Sequence, residues 1–300
     1  MVRFKLTITA IILASLSLFA IQAQAAVNVG LQVGAREDNF DWNIAAPYGY
    51  EPNVLSELTW SNLEITELRL DTQFVAPIGV AVYGTLGYGT ITSGQNQDSD
   101  YDFDDRRGEY SRSNNNASDG DTLDMRIGAG YQFKIGRHVS LIPLAGVEYR
   151  ELNLVMTDGF QTIPAYGPFD GLNSTYNSEW KGLWVGARAN VDLRRVRFNA
   201  EFLLRTGDYY GYANWNLRSD FSHPKSFDHD SAYLGYELNG GAEVMLVEHL
   251  YLTTNLMWAS SEILEGTDTI YAADGNEYST DLNGGQWDQL AFRLGLRAAF

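Results

Sequence analysis

Taken two residues at a time, the chain resolves into ten segments with one apolar and one polar face. In Val27 to Arg36 the apolar face is Val27, Val29, Leu31 and Val33, against Asn28, Gln32 and Arg36. Roughly Leu58 to Val75 is the second segment, with Leu68, Leu70 and Phe74 opposed to Glu67, Arg69, Asp71 and Gln73; Val80 to Ile91 is the third. The fourth sets Leu123, Met125, Ile127, Ala129, Tyr131 and Phe133 against Asp124, Arg126, Gln132 and Lys134. The fifth (His138 to Met156), the sixth around Leu183 to Leu193 and the seventh around Val196 to Arg205 alternate in the same way. So do the last three, Ser231 to Leu246, His249 to Leu264 and Gln286 to Phe300. Side chains in a strand point alternately to opposite faces, so this pattern predicts strands with one face in an apolar medium and one in a polar medium.

Connections between the segments alternate in length. Short ones fall near Ala76-Pro77-Ile78-Gly79, Lys134-Ile135-Gly136-Arg137, Arg194-Arg195 and Val247-Glu248, and long ones cover roughly 37–57, 93–120, 158–178, 206–230 and 265–283. An even strand number with this rhythm predicts an all-β fold, a ten-stranded antiparallel transmembrane β-barrel with five long extracellular loops and both termini periplasmic. A soluble β-sandwich would use shorter strands and needs no matched lipid face. Tyr and Trp near strand ends, Trp60, Tyr88, Tyr149 and Trp258, are expected in interfacial girdles. The closing segment, Phe292 to Phe300, ends on an aromatic residue and resembles the terminal strand of bacterial outer-membrane barrels.

The N-terminus points to the same compartment. Arg3 and Lys5 precede an apolar run from Leu6 to Ile21, and Ala23-Gln24-Ala25 reads as a cleavage site. Residues 1–25 are therefore expected to be a cleaved signal peptide and 26–300 the barrel domain, located in the cell outer membrane. An uncleaved anchor would need about 20 apolar residues, more than this run supplies.

The inward faces form a ladder of mixed charge: Glu67, Arg69, Asp71, Arg126, Glu148, Arg150, Arg188, Asp192, Arg197, Glu201, Glu237, Glu243, Arg293 and Arg297. Lumen width grows with strand number, so a ten-stranded barrel is expected to be filled by these side chains. A small-solute channel is correspondingly the narrower reading.

Charge then limits the partners. The formal charge is −17, and loss of the leader with its Arg3 and Lys5 makes it −19, which argues against nucleic acid. The first long connection holds Glu37, Asp38, Asp41, Glu51 and Glu57, the fifth Glu265, Asp268, Asp274, Glu277 and Asp281, both without Lys or Arg. Such a rim attracts cations: basic peptides, or Ca2+ and Mg2+ that bridge to lipopolysaccharide in the surrounding outer-membrane lipid. There is no cysteine, so disulfide and thiolate chemistry are absent.

Two motifs give a family resemblance. Leu55-Ser56-Glu57-Leu58-Thr59-Trp60 is similar to the S-x-L-D-W of the omptin outer-membrane endoproteases, with Thr59 in place of the acid. Gly94-Gln95-Asn96-Gln97-Asp98-Ser99-Asp100-Tyr101 is similar to their G-x-x-x-D-x-D-W. The resemblance implies a ten-stranded barrel with Asp98 and Asp100 as one half of a water-activating site. The other half in omptins is an Asp-x-His in the fourth loop. An ungapped count places it on Asn216-Leu217-Arg218, where Asn does not titrate and Arg cannot accept a proton.

The fourth loop offers two other pairs, Asp220 with His223 and Asp228 with His229. A neutral imidazole held by a carboxylate is a general base if it reaches the reacting water. A separate reading takes Asp98, Asp100, Asp102, Asp104 and Glu109 as positions 1, 3, 5, 7 and 12 of a calcium loop, a weak Ca2+ or Mg2+ site. Phe103 replaces the glycine such a loop needs for its turn. With the Asp-His half displaced, the leading expectation is a non-proteolytic surface barrel, structural or binding cations and basic peptides. An omptin-like aspartyl endoprotease is the alternative, and a small-solute channel the third.

Overall fold

A computed structural model describes residues 25–47 and 50–300; the predicted leader lies outside the described residues, apart from its last position. Ten long strands form the wall: β1 (Ala26–Ile44), β2 (Ser56–Val75), β3 (Val80–Phe103), β4 (Arg107–Tyr131), β5 (Val139–Ile163), β6 (Ser174–Leu193), β7 (Val196–Asn214), β8 (Phe227–Val247), β9 (Leu250–Ile263) and β10 (Glu277–Ala299). Each pairs antiparallel with its neighbours in sequence, and β1 pairs with β10 from Asn28↔Ala299 to Ile44↔Leu282, closing the ring. The terminal aromatic takes part in closure: Phe300 N donates to Val27 O (2.8 Å) and Val27 N to Phe300 O (3.1 Å). A closed ring leaves no strand edge unpaired.

The predicted faces hold. Leu31, Val33, Leu68, Ile127, Leu183, Leu204, Leu256, Phe292 and Leu294 are exposed on the outer wall, forming the apolar belt. Tyr88 and Trp258 stand exposed at its margin.

Strand boundaries differ from the expectation. The segment read as the loop 93–120 is a β3–β4 hairpin that turns at Asp104–Arg107, with Asp105 (φ 59°) and Arg106 (φ 57°) in the left-handed region. In this hairpin above the belt both faces carry polar side chains, so the alternation that marks a membrane strand disappears while the backbone pairing continues. The short strand Gly266–Tyr271 likewise prolongs β9, lying between β8 and β10.

One irregularity reverses which side chains face inward. β2 and β3 slip register between Ser61 and Ile65, with Asn62 at φ 52°. Below it the odd-numbered Leu63, Ile65 and Glu67 are buried; above it Leu58 and Trp60 are. A bulge exchanges faces because one residue drops out of the alternation. Trp60 therefore packs inside, 5.5 Å from Phe40, and is not in a girdle as expected. On β3 the same slip turns Asn96, Asp98 and Asp100 inward, opposite Trp60, Leu58 and Ser56.

The lumen is filled in two tiers. In the belt region, arginines and carboxylates interlock: Arg36 with Asp38 (2.6 Å) and Asp124 (2.8 Å), Arg293 with Glu67 (2.9 Å), Arg188 with Glu201 (2.6 Å), Arg126 with Glu237 (3.0 Å). Trp184 lies over the directly paired Gly128 and Gly146, where a Cβ on Gly146 would come within 2.5 Å of its ring. Above sits a buried aromatic tier of Phe40, Trp42, Trp60, Tyr176, Trp180 and Trp287. A chamber of about 130 Å³ remains in the half nearer the short turns.

Candidate site at the barrel mouth

The bulge places Asp98 and Asp100 on one inward face of β3, paired with Ser113 and Ser111 of β4. Both lie beyond the apolar belt. Burial pushes the Asp98 carboxyl up to about 7, reinforced by the charge of Asp100 and opposed by Arg218 and a hydrogen bond from Trp215. Asp100 is also raised by burial, against hydrogen bonds from Ser56 and Ser111 and the charge of Arg218. Burial and the charge on Asp100 disfavour ionisation of Asp98, so Asp98 keeps its proton to near neutrality. The unfolded chain releases the Asp98 proton near 3.8 and the folded barrel near 7. The contribution of this group to stability therefore falls as pH rises through that window, while the mouth gains negative charge.

The connection between β7 and β8 supplies the opposing wall. Arg218 is held by Asp220 through two hydrogen bonds (2.9 and 2.7 Å), which pull the Asp220 carboxyl below its usual range. Arg218 thus acts on the acid pair from the position where the ungapped count expected a histidine. Asn216 has a structural task, donating to Gly171 O (2.7 Å) and accepting from Asn173 N (2.9 Å).

Neither predicted Asp-His pair forms. Asp220 is bound to Arg218, and His223 is exposed with its Nδ1 2.7 Å from Asn214 Oδ1 and its Nε2 3.2 Å from Arg218 O. Asp228 and His229 are successive residues of β8 and point to opposite faces, as strand geometry requires. Asp228 accepts from Tyr210 and Tyr271 (both 3.0 Å) and pairs with Lys225. His229 turns inward and is fully buried, 2.8 Å from the Tyr176 hydroxyl, 3.2 Å from Asp268 Oδ1 and edge-on to Trp42 at 4.6 Å. Among the described residues, the groups that shift Asp98 and Asp100 are Asp100, Arg218, Trp215, Ser56 and Ser111.

The calcium-loop reading also meets a different geometry. Asp98, Asp100 and Asp102 lie along an extended strand, Asp104 accepts from Asn53 N (2.8 Å), and Glu109 is tied to Arg112 (2.7 Å). Among the described residues no group of three or more carboxylate or imidazole side chains is arranged to hold a metal ion. An extended backbone separates carboxylates that a tight loop would converge.

Tyr176, Trp215 and Ser111 were not foreseen, while Asp268 and Ser56 entered only as a rim acid and a motif position. Trp215 immediately precedes the counted Asn216-Leu217-Arg218, so the fourth loop carried that signal; nothing local marks Asp268 as the partner of His229, 39 residues earlier.

Comparison with known proteins agrees with this architecture. The family model described as Pom, Protochlamydia outer membrane protein, matches residues 30–300. No curated protein matches the chain. Among solved structures, the outer membrane protease OmpT from Escherichia coli superposes with a TM-score of 0.70 at 11% identity, covering 92% of this chain and 97% of that one. The translocator domain of the autotransporter NalP from Neisseria meningitidis gives 0.38 at 12% identity, covering 96% and 92%. A major outer membrane protein from Thermus thermophilus gives 0.36 at 13%, covering 92% and 99%. At 11% identity the likeness to OmpT concerns the fold.

Proposed function

Because the chain belongs to the Protochlamydia outer membrane protein family and is an outer-membrane β-barrel, we propose that it is a non-proteolytic surface barrel whose acidic mouth captures cationic ligands, basic peptides among them. Its long connections face outside and both termini face the periplasm in this reading, as the alternation of short and long connections suggests. The observation that carries the proposal is Arg218. A guanidinium stands at the counted position where the omptin resemblance implies a histidine, and His223 and His229 are engaged elsewhere. Conduction is disfavoured by the two packed tiers of the lumen.

The outer wall supports the same polarity. Glu37 and Glu64 are directly opposed on β1 and β2 just above the belt, as are Glu151 and Glu179 on β5 and β6. Like charges facing each other across strands are unfavourable; Lys181 already meets Glu179 (2.5 Å) and Tyr149 donates to Glu151, while cations at this level would relieve Glu37 and Glu64. Ca2+ or Mg2+ shared with lipopolysaccharide phosphates suits that position, and nucleic acid does not.

A fluorescent Arg- and Lys-containing peptide tests the binding. Its anisotropy titration against protein refolded in lipopolysaccharide micelles should tighten roughly 5-fold from pH 6 to pH 8. That corresponds to about 1 kcal/mol for one added charge at a few ångströms in water. Affinity should fall with salt, and the Asp98→Asn, Asp100→Asn double variant should lose the pH dependence. Affinity independent of pH and salt would remove the mouth acids from the binding role.

A further inference from the structure

We propose that the centre of the lumen holds a single halide-sized anion, bound between Arg150 and Arg205. A small cavity of about 20 Å³ lies between the ion pairs, enough for one particle of water size or slightly larger. Six arginines line it, Arg150 and Arg205 among them, against three carboxylates, Asp124, Glu148 and Glu237. The side chains of Arg150 and Arg205 are 3% and 4% exposed. Each nevertheless has a guanidinium nitrogen, Nη1 in both, with no hydrogen-bond acceptor among the described residues.

The neighbouring groups explain why these donors stay free. Arg150 Cζ lies over three rings, Trp287 (4.9 Å), Trp180 (5.1 Å) and Tyr233 (5.4 Å), and these aromatic neighbours offer its N–H groups no oxygen acceptor. Its Nη2 donates to Ser261 (3.2 Å), and its Nε is 3.6 Å from Glu148. Arg205 shares that carboxylate at 3.4 Å and shares Glu237 with Arg126. Arg126 also reaches Glu201 (3.6 Å), which Arg188 holds at 2.6 Å, so four guanidinium groups draw on three carboxylates around the cavity. Other acids balance the lumen as a whole, but Asp38, Glu67, Asp71 and Glu201 engage their arginines without lining the cavity. At this range in a low-dielectric interior the nearer charges dominate, so the potential inside is positive. A buried guanidinium N–H without an acceptor is costly, and a chloride ion satisfies both donors and the local field together. Water would satisfy the donors alone.

Bromide distinguishes the two. Crystals of the full barrel grown or soaked in bromide should give an anomalous peak within hydrogen-bonding distance of Arg150 Nη1 and Arg205 Nη1. In solution, replacing gluconate by chloride at constant ionic strength should raise the unfolding midpoint by about 2–4 °C. Arg205→Met should abolish both effects; if that variant does not fold, the wild-type soak and midpoint decide alone. An ordered water with no anomalous signal at saturating bromide overturns the proposal, as does a bromide peak that survives Arg205→Met.

Discussion

Replacing Glu148 by Gln should destabilise the barrel by about 3–5 kcal/mol, the cost of breaking a buried ion pair from one side. The carboxylate is 2% exposed, lies 3.6 Å from Arg150 and 3.4 Å from Arg205, and accepts from the Tyr233 hydroxyl at 2.8 Å. Its loss leaves two guanidinium charges facing each other with one fewer counter-charge. Urea unfolding followed by tryptophan fluorescence in detergent micelles measures the effect. Adding Arg205→Met should recover much of it, because Arg126 still holds Glu237 at 3.0 Å while the unpaired cation is gone. A Glu148→Gln barrel as stable as wild type would mean that water reaches this tier and that the lumen is not packed as described.

The second large effect belongs to the outer face. Leu31 is 53% exposed and sits in the middle of the belt, directly paired with Leu70 and Leu296. Leu31→Arg should cost about 2–4 kcal/mol in a bilayer, the range for a cation at the midplane of a transmembrane barrel. Six residues along the same strand and on the same face, Glu37→Arg should instead be neutral or stabilising by roughly 0.2–1 kcal/mol, since it turns a like-charged pair with Glu64 into an opposite one. Unfolding from phospholipid vesicles compares the two. Equal effects at both positions would show that the belt does not end where the outward side chains change character.

Much of this was legible in the chain because a membrane barrel writes its solvent on every second residue. Leu31 and Phe292 outward, Glu148 and Arg293 inward, and the even strand count all follow from that alternation. The code stops at the belt's upper margin. Beyond it β3 and β4 remain paired up to the turn at Asp104–Arg107, yet Asn, Ser and Asp occupy both faces, and the sequence there reads as loop. The bulge at Ser61–Ile65 is also silent, although it decides that Trp60 and the Asp98, Asp100 pair face inward. The position of Arg218 could be counted from the seventh strand. The pairing of His229 with Asp268 could not, because it depends on Gly266–Tyr271 rejoining the sheet beside β8.

With a guanidinium in place of a base, the proposed mouth binds basic peptides without hydrolysing them. Mass spectrometry of a basic peptide library after prolonged incubation with the barrel in lipopolysaccharide tests it most directly. The expected result is intact peptides with wild type and with Asp98→Ala alike. Peptide-bond cleavage by wild type that disappears in Asp98→Ala would contradict it.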